Sequence, residues 1–303
     1  MTDSTAALRH QMGAASDLQS VVRTMRALAA ASIRQYEQAV LALADYRLTV
    51  NQGLGVCLRQ MQASEAAAPA RPGREAAATG LVVFGSDQGL VGQFNEVLVE
   101  RVLQALRSGP GACPVWVVGE RARALLVDAG ASVVGTQPVP GSVQGIAPLV
   151  ERLLLATESH PGQVASPHIR LFFNRMRDGS AVEPTDEALL PLDDAWRAGL
   201  QQQAWPTRRQ PELVGEGAPV LRVLIRQHLF ISLFQACAES LASENASRLA
   251  AMERADRNIE ELLAGLRASF HKQRQDAIDE ELFDLTAAFG ALFGKPVAAA
   301  PAG

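Results

Sequence analysis

The sequence has little cysteine and almost no lysine, and the scarcity of cysteine excludes several kinds of protein. Its three cysteines, Cys57, Cys113 and Cys237, are too far apart for a Cys-x-x-Cys metal site, and their odd number excludes a disulfide scaffold. Such cysteine usage fits a reducing compartment. The five histidines show no metal-ligand spacing, so we expect no bound metal.

Long apolar runs and a strong charge of one sign are also absent. No uncharged apolar stretch reaches the ~18 residues that span a bilayer, and the N-terminus lacks the apolar region of a secretory signal. With 28 basic and 32 acidic residues, the formal net charge is −4, so charge does not favour a nucleic-acid partner. We therefore predict a soluble intracellular protein that binds no nucleic acid and does not insert directly into a membrane.

What the sequence does have is enough apolar residues, 48%, for a sizeable core, and two long stretches without proline. The first stretch, residues 1–62, has apolar or small residues at most positions of a 3/4-spaced series from Val22 to Met61. This spacing is typical of the seam of a coiled coil. We therefore predict one long N-terminal helix.

The second proline-free stretch, residues 220–293, predicts a C-terminal helix with the same kind of seam, from Ala242 to Ala277. Polar residues that occupy seam positions can set the register of a helix pair. Neither helix can bury its apolar stripe alone, so we predict that the two pair as an antiparallel coiled coil. The polar seam residues are Asn245, Asp256 and Gln273.

The middle of the chain alternates between strand-like and helix-like segments. Short apolar runs at 81–85 and 114–119 are typical of buried strands, and each precedes a helix-like stretch. We predict a small, mostly parallel sheet with right-handed connections. The fold class is therefore α/β plus long helices, with a small Rossmann-like α/β domain inserted between the two coiled-coil helices. Helix candidates lie at 95–107 and 120–129, and further strand candidates at 132–135, 168–174 and 181–184.

The predicted domain division follows changes in composition along the chain. Alanine, proline and glycine are concentrated in a first linker, and a second linker is rich in glutamine, proline and glycine. The division is an N-terminal helix at 1–62, a linker at 63–80, the α/β domain at 81–200, a linker at 201–219, the C-terminal helix at 220–293 and a disordered tail at 294–303.

The most motif-like stretch is the loop from Gly85 to Asn95, GSDQGLVGQFN, which follows a strand and opens a helix. Helix N-termini attract anions, so a nucleotide site is one interpretation. The loop lacks the Gly-Lys-Ser/Thr ending of a P-loop, however, and its glycines have the wrong spacing for a dinucleotide fingerprint. We favour a tight strand-to-helix turn in which glycine supplies a positive φ.

Three pairs of reactive residues could suggest catalysis. Asp193 and Asp194 are paired acids, but no histidine or nucleophile lies near them in sequence. The pairs Ser159–His160 and Ser166–His168 are close only in sequence, which does not create the geometry of a catalytic triad. We therefore predict no catalytic, metal-binding or cofactor-binding residues.

The end of the C-terminal helix combines an acidic cluster with apolar residues spread around the helix. The acidic residues alone are typical of a solvated face. The apolar residues cover too much of the circumference for one partner helix, so we expect another protein to surround them as an apolar sleeve. The acidic residues are Asp276, Asp279, Glu280, Glu281 and Asp284, and the predicted tip inside the sleeve comprises Leu285, Phe289, Leu292 and Phe293.

Three parts of the sequence resemble the gamma subunit of F-type ATP synthases. They are TMRALAAASIR at Thr24–Arg34, the loop SDQGLVGQFN at Ser86–Asn95, and ESLASENASRLAAMERADRNIEELL at Glu239–Leu263 followed by KQRQDAIDEEL at Lys272–Leu282. The C-terminal part is specific, since a generic coiled coil would not reproduce Ser-Leu-Ala-Ser-Glu together with Arg-Gln at that distance. The chain resembles a divergent branch of the family, such as an alternate-operon copy.

The resemblance implies the central rotor shaft of the synthase, a subunit without catalytic residues or cofactors of its own. Its coiled coil would stand inside the ring of alternating alpha and beta subunits, and its α/β domain would face epsilon and the membrane rotor ring of c subunits. Different contacts with the three catalytic beta subunits would shift their nucleotide affinities in turn and couple ion-driven rotation to ATP chemistry. The implied location is peripheral, on the cytoplasmic face of the bacterial inner membrane.

The resemblance also implies residues that contact the beta subunit. Arg274 and Gln275 match an Arg-Gln pair that contacts a beta-subunit loop in the family, and Met25 and Arg26 match the N-terminal segment beside the beta-subunit lever. Asp279 stands where the family usually has threonine, which makes this contact more acidic. The segment 185–219 departs most from the family pattern, so the contacts with epsilon and the c ring are the least specified.

A second hypothesis comes from a different class of protein: a small α/β nucleotide-binding enzyme or sensor that oligomerises through a helical hairpin. It requires polar groups that converge on a ligand at Gly85–Asn95, whereas a rotor shaft requires none. Neither the coupled ion, proton or sodium, nor the direction of turnover is indicated by the sequence.

Overall fold

The computed structural model describes residues 2–64, 80–108, 113–158, 168–177, 181–190, 194–203, 205, 207–209, 211–213 and 217–293, with the backbone alone at 2–4, 62–64, 181 and 290–293. The chain forms two compact units. We call Met1–Arg26 with Met252–Gly303 the helical unit, and Ala27–Ala251 the α/β unit.

Two long helices contribute residues to both units. Helix α1 spans Thr2–Ser64 and was predicted over residues 1–62. The C-terminal helix, which is α6 in chain order, spans Gly217–Phe293 and was predicted over 220–293. Both helices continue without a break because no proline interrupts their interior, where it would remove a hydrogen bond and clash with the preceding turn.

The α/β unit contains one five-stranded sheet, whose strands are β1 Gly80–Phe84, β2 Val115–Val118, β3 Val133–Gln137, β4 Ile169–Arg177 and β5 Ala181–Leu190. Their order across the sheet is β3-β2-β1-β4-β5. Strand β1 lies in the middle and pairs in parallel with β2 and β4, and β2 pairs in parallel with β3. The fold class predicted from the sequence, long helices with a mostly parallel Rossmann-like domain, is confirmed.

Strand β5 is longer than predicted and is the one antiparallel strand of the described sheet. The prediction ended it at Pro184, but the strand continues to Leu190, and Pro184 pairs with Asn174 of β4. Proline is tolerated there because β5 is an edge strand, where one side of the backbone needs no partner.

The shorter helices are α2 Phe94–Ser108, α3 Glu120–Asp128, α4 Ile146–Glu158 and α5 Asp194–Gln202, with a 3-10 turn at Val143–Gly145.

Helices cover both faces of the sheet, which explains the continuous apolar strands. On one face, Leu98 and Val102 of α2 and Leu126 of α3 pack with the sheet residues Val83 and Phe172. The other face carries Leu149 and Leu153 of α4, and Leu233 and Cys237 of α6, against Phe84, Val118 and Phe173. Strands buried on both sides need no polar alternation.

Helices α2 and α3 agree with the predicted stretches, whereas no helix was predicted at the positions of α4 and α5. Helix α4 contains Pro148, which is tolerated because it lies in the first turn, where backbone N–H groups have no partner within the helix. Helix α5 places Leu200 in a small core with Val50, Leu54 and Ile231.

The domain division made from composition stays a prediction. Most of the linker at 63–80 and all of the tail at 294–303 lie outside the described residues. So does part of the linker at 201–219, whose first two residues belong to α5.

Helix α6 is long and apolar enough, between Gly217 and Phe289, to qualify as a membrane span by length and composition alone. Of its most apolar 18 residues, 22% are buried within the structure. Three residues of α6, Ile231, Leu233 and Cys237, are nevertheless core residues of the α/β unit. The absence of direct membrane insertion stays a prediction.

Candidate protein-interaction site

The loop after β1, which sequence analysis singled out, is held by hydrogen bonds among its own residues. The side chain of Asn95 accepts a hydrogen bond from the backbone N–H of Ser86 at 3.0 Å and donates one to the Ser86 hydroxyl at 2.8 Å. Both side chains are fully buried. The predicted positive φ occurs at Gly92, at 62°, and also at Leu90, at 63°. This geometry supports the tight strand-to-helix turn.

The carboxylate of Asp87 lies at the N-terminus of α3, where a bound anion would otherwise be favoured. One oxygen accepts the backbone N–H of Glu120 at 3.0 Å, and the other accepts that of Val139 at 3.0 Å. The loop packs so closely that a Cβ at Gly119, where φ is 106°, would lie 2.7 Å from the carbonyl oxygen of Ser86. A side chain of the protein therefore occupies the positive end of this helix.

The crevice in which doubly wound sheets bind ligands is filled by α6. In this sheet the order of the strands reverses between β1 and β4, because β2 and β3 lie on one side of β1 and β4 lies on the other. Ligands usually bind outside the carboxyl ends of the strands at such a point. Here Ser240 donates its hydroxyl to the carbonyl of Phe84 at 2.8 Å, and Ser243 donates to that of Asn174 at 3.0 Å. These carbonyls belong to β1 and β4, so a helix of the chain itself stands in the ligand position.

Charged residues of α6 next to these serines are also bound within the α/β unit. Glu239 accepts a hydrogen bond from Arg175 of β4 at 2.5 Å, and Arg175 also contacts Glu187 of β5 at 2.9 Å. The Glu244 side chain, 7% exposed, pairs with Arg248 at 2.5 Å. Burial raises the pKa of Glu244, and the Arg248 bond only partly opposes this. Within the sequence signature, Glu239, Ser240 and Ser243 therefore attach α6 to the sheet, whereas Glu244 and Arg248 pair with each other along α6.

The other reactive pairs do not form a site among the described residues. Asp194 is the first residue of α5 and forms an ion pair with Arg197, which lies one turn later on the same helix. His168 accepts the backbone N–H of Gly80 at 2.9 Å through its carbonyl. No group of three or more potential metal ligands occurs in the part of the chain that the structure describes. Asp193, Ser159, His160 and Ser166 lie outside that part.

In the helical unit, α6 packs against α1 through the predicted seam. From Met252 to Ala277, every predicted seam position is buried or half-buried, and Ala255 is the only other position that is not exposed. The buried apolar residues of this unit are Ala15, Val22, Met252, Ile259 and Leu263. The guanidinium of Arg9 lies 5.1 Å from the ring centre of Phe270. The seam prediction is confirmed from Met252 to Ala277.

One seam position holds a buried acid, Asp256, whose side chain is 9% exposed. It accepts hydrogen bonds from three side chains of α1: Gln19 at 3.0 Å, Arg23 at 3.2 Å and Arg26 at 3.0 Å. Arg23 also contacts Glu260 at 2.9 Å. Burial acts to raise the pKa of Asp256, but the bonds from Gln19 and Arg23 and the two positive charges outweigh it, so the pKa is lowered.

The residues implied as partner contacts are surface residues of the helical unit. Arg274, Gln275 and Asp279 are exposed, and Met25 and Arg26 are half-buried. Beyond the last seam residue, Ala277, every side chain from Ile278 to Phe289 is exposed, including the tip residues Leu285 and Phe289. The side chains of Leu292 and Phe293 lie outside the described ones.

A family model described as ATP synthase matches residues 4–292, nearly the whole chain. The chain belongs to the gamma-subunit family of ATP synthases. Membership of this gamma-subunit family makes the chain the rotor shaft of an F-type ATP synthase and part of a membrane-associated complex.

Solved structures share the fold of this gamma-family chain. A chain in the Euglena gracilis mitochondrial ATP synthase, in a cryo-EM structure of OSCP/F1/c-ring in rotational state 3, has a TM-score of 0.66 at 16% identity, covering 100% of this chain and 99% of that one. A rotor chain of the same synthase in rotational state 1 has a TM-score of 0.61 at 16% identity, covering 92% and 100%. A chain of the Tetrahymena thermophila central stalk/c-ring has 0.55 at 19% identity, covering 78% and 99%.

Sequence reasoning about this gamma-family chain missed the cluster around Asp256. Asp256 was noted as a polar seam residue, but its α1 partners were not identified. The signal was present: Gln19, Arg23 and Arg26 follow a 4/3 spacing that places all three on one face of a helix.

Proposed function

We propose that the helical unit is the part of the shaft that lies inside the ring of alternating alpha and beta subunits. The observation that carries this proposal is the exposed end of α6 from Ile278 to Phe289. Phe283, Leu285 and Phe289 are 77%, 61% and 66% exposed and, at about 100° per residue, spread over roughly half of the helix circumference. Apolar side chains at this density mark a protein-binding surface, and a surrounding ring would cover all of them.

The contact with the catalytic beta subunits would involve Arg274, Gln275 and Asp279 at one level of α6, and Met25 and Arg26 at another. Arg26 of α1 bonds to Asp256 of α6, so it lies at the level of Asp256. Arg274 is 18 residues beyond Asp256 on the same helix, which puts the two levels about 27 Å apart at 1.5 Å per residue. Arg274 is exposed, and its planar guanidinium suits a carboxylate of the partner. Because one shaft meets three beta subunits, each subunit meets a different face, and its nucleotide affinity shifts accordingly.

The α/β unit would contact epsilon and the ring of c subunits. The matched Euglena and Tetrahymena chains come from assemblies whose descriptions name F1, the c-ring and the central stalk. In this role the chain is not catalytic by itself. The crevice filled by Ser240 and Ser243 supports that view over a nucleotide-binding enzyme, because the usual ligand position is already taken. The location would be peripheral, on the cytoplasmic face of a bacterial inner membrane.

Co-purification tests the proposal directly. A tagged full-length chain is extracted from its native membranes in mild detergent, and its partners are identified and counted by mass spectrometry. We expect alpha and beta in equal and multiple copies, together with epsilon and c subunits. A soluble homo-oligomer that lacks alpha and beta would reject the shaft assembly and return attention to the Gly85–Asn95 loop.

Truncation tests the role of the α6 tip. A chain that ends after Asp284 loses Leu285 and Phe289 and should recover less alpha and beta in the same purification. A chain that ends after Phe293 lacks only residues 294–303 and serves as the matched control. Equal recovery by both truncated chains would show that the tip does not hold the ring.

A further inference from the structure

Asp256 occupies a place in the helical unit that coiled coils normally give to an apolar residue. Its carboxylate accepts hydrogen bonds from Gln19, Arg23 and Arg26, which span two turns of α1, at distances between 3.0 and 3.2 Å. Glu260, one turn further along α6, takes a second hydrogen bond from Arg23 at 2.9 Å. One carboxylate therefore holds three points of the opposite helix.

These bonds act differently from the apolar contacts around them. Val22, Met252, Ile259 and Leu263 are buried by the hydrophobic effect, which is not directional and depends on the area removed from water. Such contacts oppose separation of two helices more than they oppose a small slide along the axis. Charge-assisted hydrogen bonds depend on distance and angle and oppose the slide itself.

A shaft made of two helices transmits torque only if the helices do not move past each other. Twisting a helix pair displaces one helix along the other at their contact, so its stiffness depends on the contacts that resist sliding. Among the described seam residues of α6 in the helical unit, Asp256 is the one acid, and it bonds to three α1 residues.

We propose that Asp256 is a positioning residue that locks α1 to α6 against sliding, so that the helical unit turns as one body when the shaft is under load. This role rests on the proposed position of the helical unit inside the catalytic ring. It also assigns a purpose to Arg23 and Arg26, whose side chains remain 50% and 43% exposed while bonded to Asp256.

The test compares loaded with unloaded turnover in the assembled complex. ATP synthesis by the whole synthase in proteoliposomes, driven by an imposed ion gradient and membrane potential, loads the shaft. ATP hydrolysis by the detached catalytic ring with its shaft does not. In Asp256→Leu, which keeps an apolar seam, the ratio of synthesis to unloaded hydrolysis should fall about three- to fivefold, the range expected for a small network of partly exposed ion pairs.

Three further variants separate positioning from stability. Asp256→Asn keeps the side-chain shape and should lower the same ratio, whereas Asp256→Glu keeps the carboxylate and should restore most of it. Glu253→Gln changes an exposed acid on the same helix and should leave the ratio unchanged. All variants are normalised to the amount of assembled complex and to helical content by circular dichroism.

The outcomes are distinct. A lower ratio in the Leu and Asn variants, with recovery in the Glu variant, supports the proposal. If synthesis and hydrolysis fall together, in proportion to the amount of assembled complex, Asp256 only stabilises the chain, and the proposal is overturned. An unchanged ratio of synthesis to hydrolysis would also overturn the proposal. Failure of the wild-type chain to co-purify with alpha and beta would instead contradict the shaft assembly itself.

Discussion

The two parts of α6 use the same helical backbone in opposite ways. Between Gly217 and Ala251, in the α/β unit, the helix buries both apolar and polar residues, and Ser240 and Ser243 bond to backbone carbonyls of the sheet. Beyond Met252, in the helical unit, burial narrows to a seam, and it stops altogether after Ala277 among the described side chains. The contacts of the first part are therefore made within the chain, whereas the second part has an exposed surface that is available to partner proteins.

Truncating one isoleucine in each part of α6 should show the largest contrast in stability. Ile231 is 1% exposed and packs with Val50, Leu54 and Leu200, so Ile231→Ala should lower the free energy of unfolding by about 3 kcal/mol. Ile278 is 47% exposed, and Ile278→Ala should cost less than about 0.5 kcal/mol. Urea unfolding of the full chain measures both, and similar losses would erase the contrast.

Acid should weaken the α/β unit through His228. Burial, and secondarily the charge of Arg47, lowers the pKa of His228 to about 4. The centre of its ring lies 4.5 Å from that of Trp196, with the two rings tilted by 43°. Since the unfolded chain binds the proton near pH 6.5 and the folded chain does not, stability present above that pH is lost as pH falls toward 4. We expect a loss of about 2 kcal/mol, after discounting for partial exposure.

Unfolding midpoints in urea between pH 7 and pH 4.5 measure this loss. His228→Phe should flatten the pH profile, while His271→Phe, at an exposed position of the helical unit, should retain it. An unaltered slope in His228→Phe would assign the acid sensitivity to other groups.

The serines that dock α6 on the sheet should matter less than the apolar core but more than surface serines. Ser243→Ala removes the hydrogen bond to the carbonyl of Asn174, a fully buried residue, and should cost about 1–2 kcal/mol. Ser269→Ala, at an exposed position of the same helix, should stay within about 0.5 kcal/mol of wild type. Equal effects of the two substitutions would argue against docking through Ser243.

The smallest effect on folding is expected where the effect on partners is largest. Arg274 and Gln275 are exposed, so their double alanine variant should change the unfolding free energy by less than about 0.5 kcal/mol. Coupled ATP turnover of the assembled complex should nevertheless fall, because the contact with beta is lost. Arg267→Ala, also exposed on α6, is the control. Coupled turnover equal to wild type in the double variant would remove these residues from the contact.

Most of the correct predictions came from patterns among residues that are close together in the sequence. The 3/4 spacing located the seam from Met252 to Ala277 because helix periodicity is a property of neighbouring residues. The partners of Ser240 and Ser243 could not be found in this way, since Phe84 and Asn174 are 156 and 69 residues away in sequence. Strand β5 was cut short because its polar, proline-containing sequence reflects an edge position that only the sheet order reveals.

The candidate contacts show a different limit. Arg274, Gln275 and Asp279 were identified through a family resemblance, and they are exposed on the single chain. Their chemistry is completed by another protein, so neither the spacing of the residues nor the fold of one chain specifies the contact. Asp256 is the reverse case, because both sides of its contact lie within the chain and the geometry becomes evident once α1 and α6 are paired.

The filled crevice also sets an order for synthesis on the ribosome. The carbonyl of Phe84 lacks its hydrogen-bond donor until Ser240 has been synthesised. The sheet face that contains Phe84 likewise lacks its α6 contacts until Leu233 and Cys237 have been synthesised. A nascent chain that has produced all five strands therefore still exposes the part of that face that α4 does not cover, until the last helix emerges. We expect the α/β unit to be completed late and to need protection from aggregation until then.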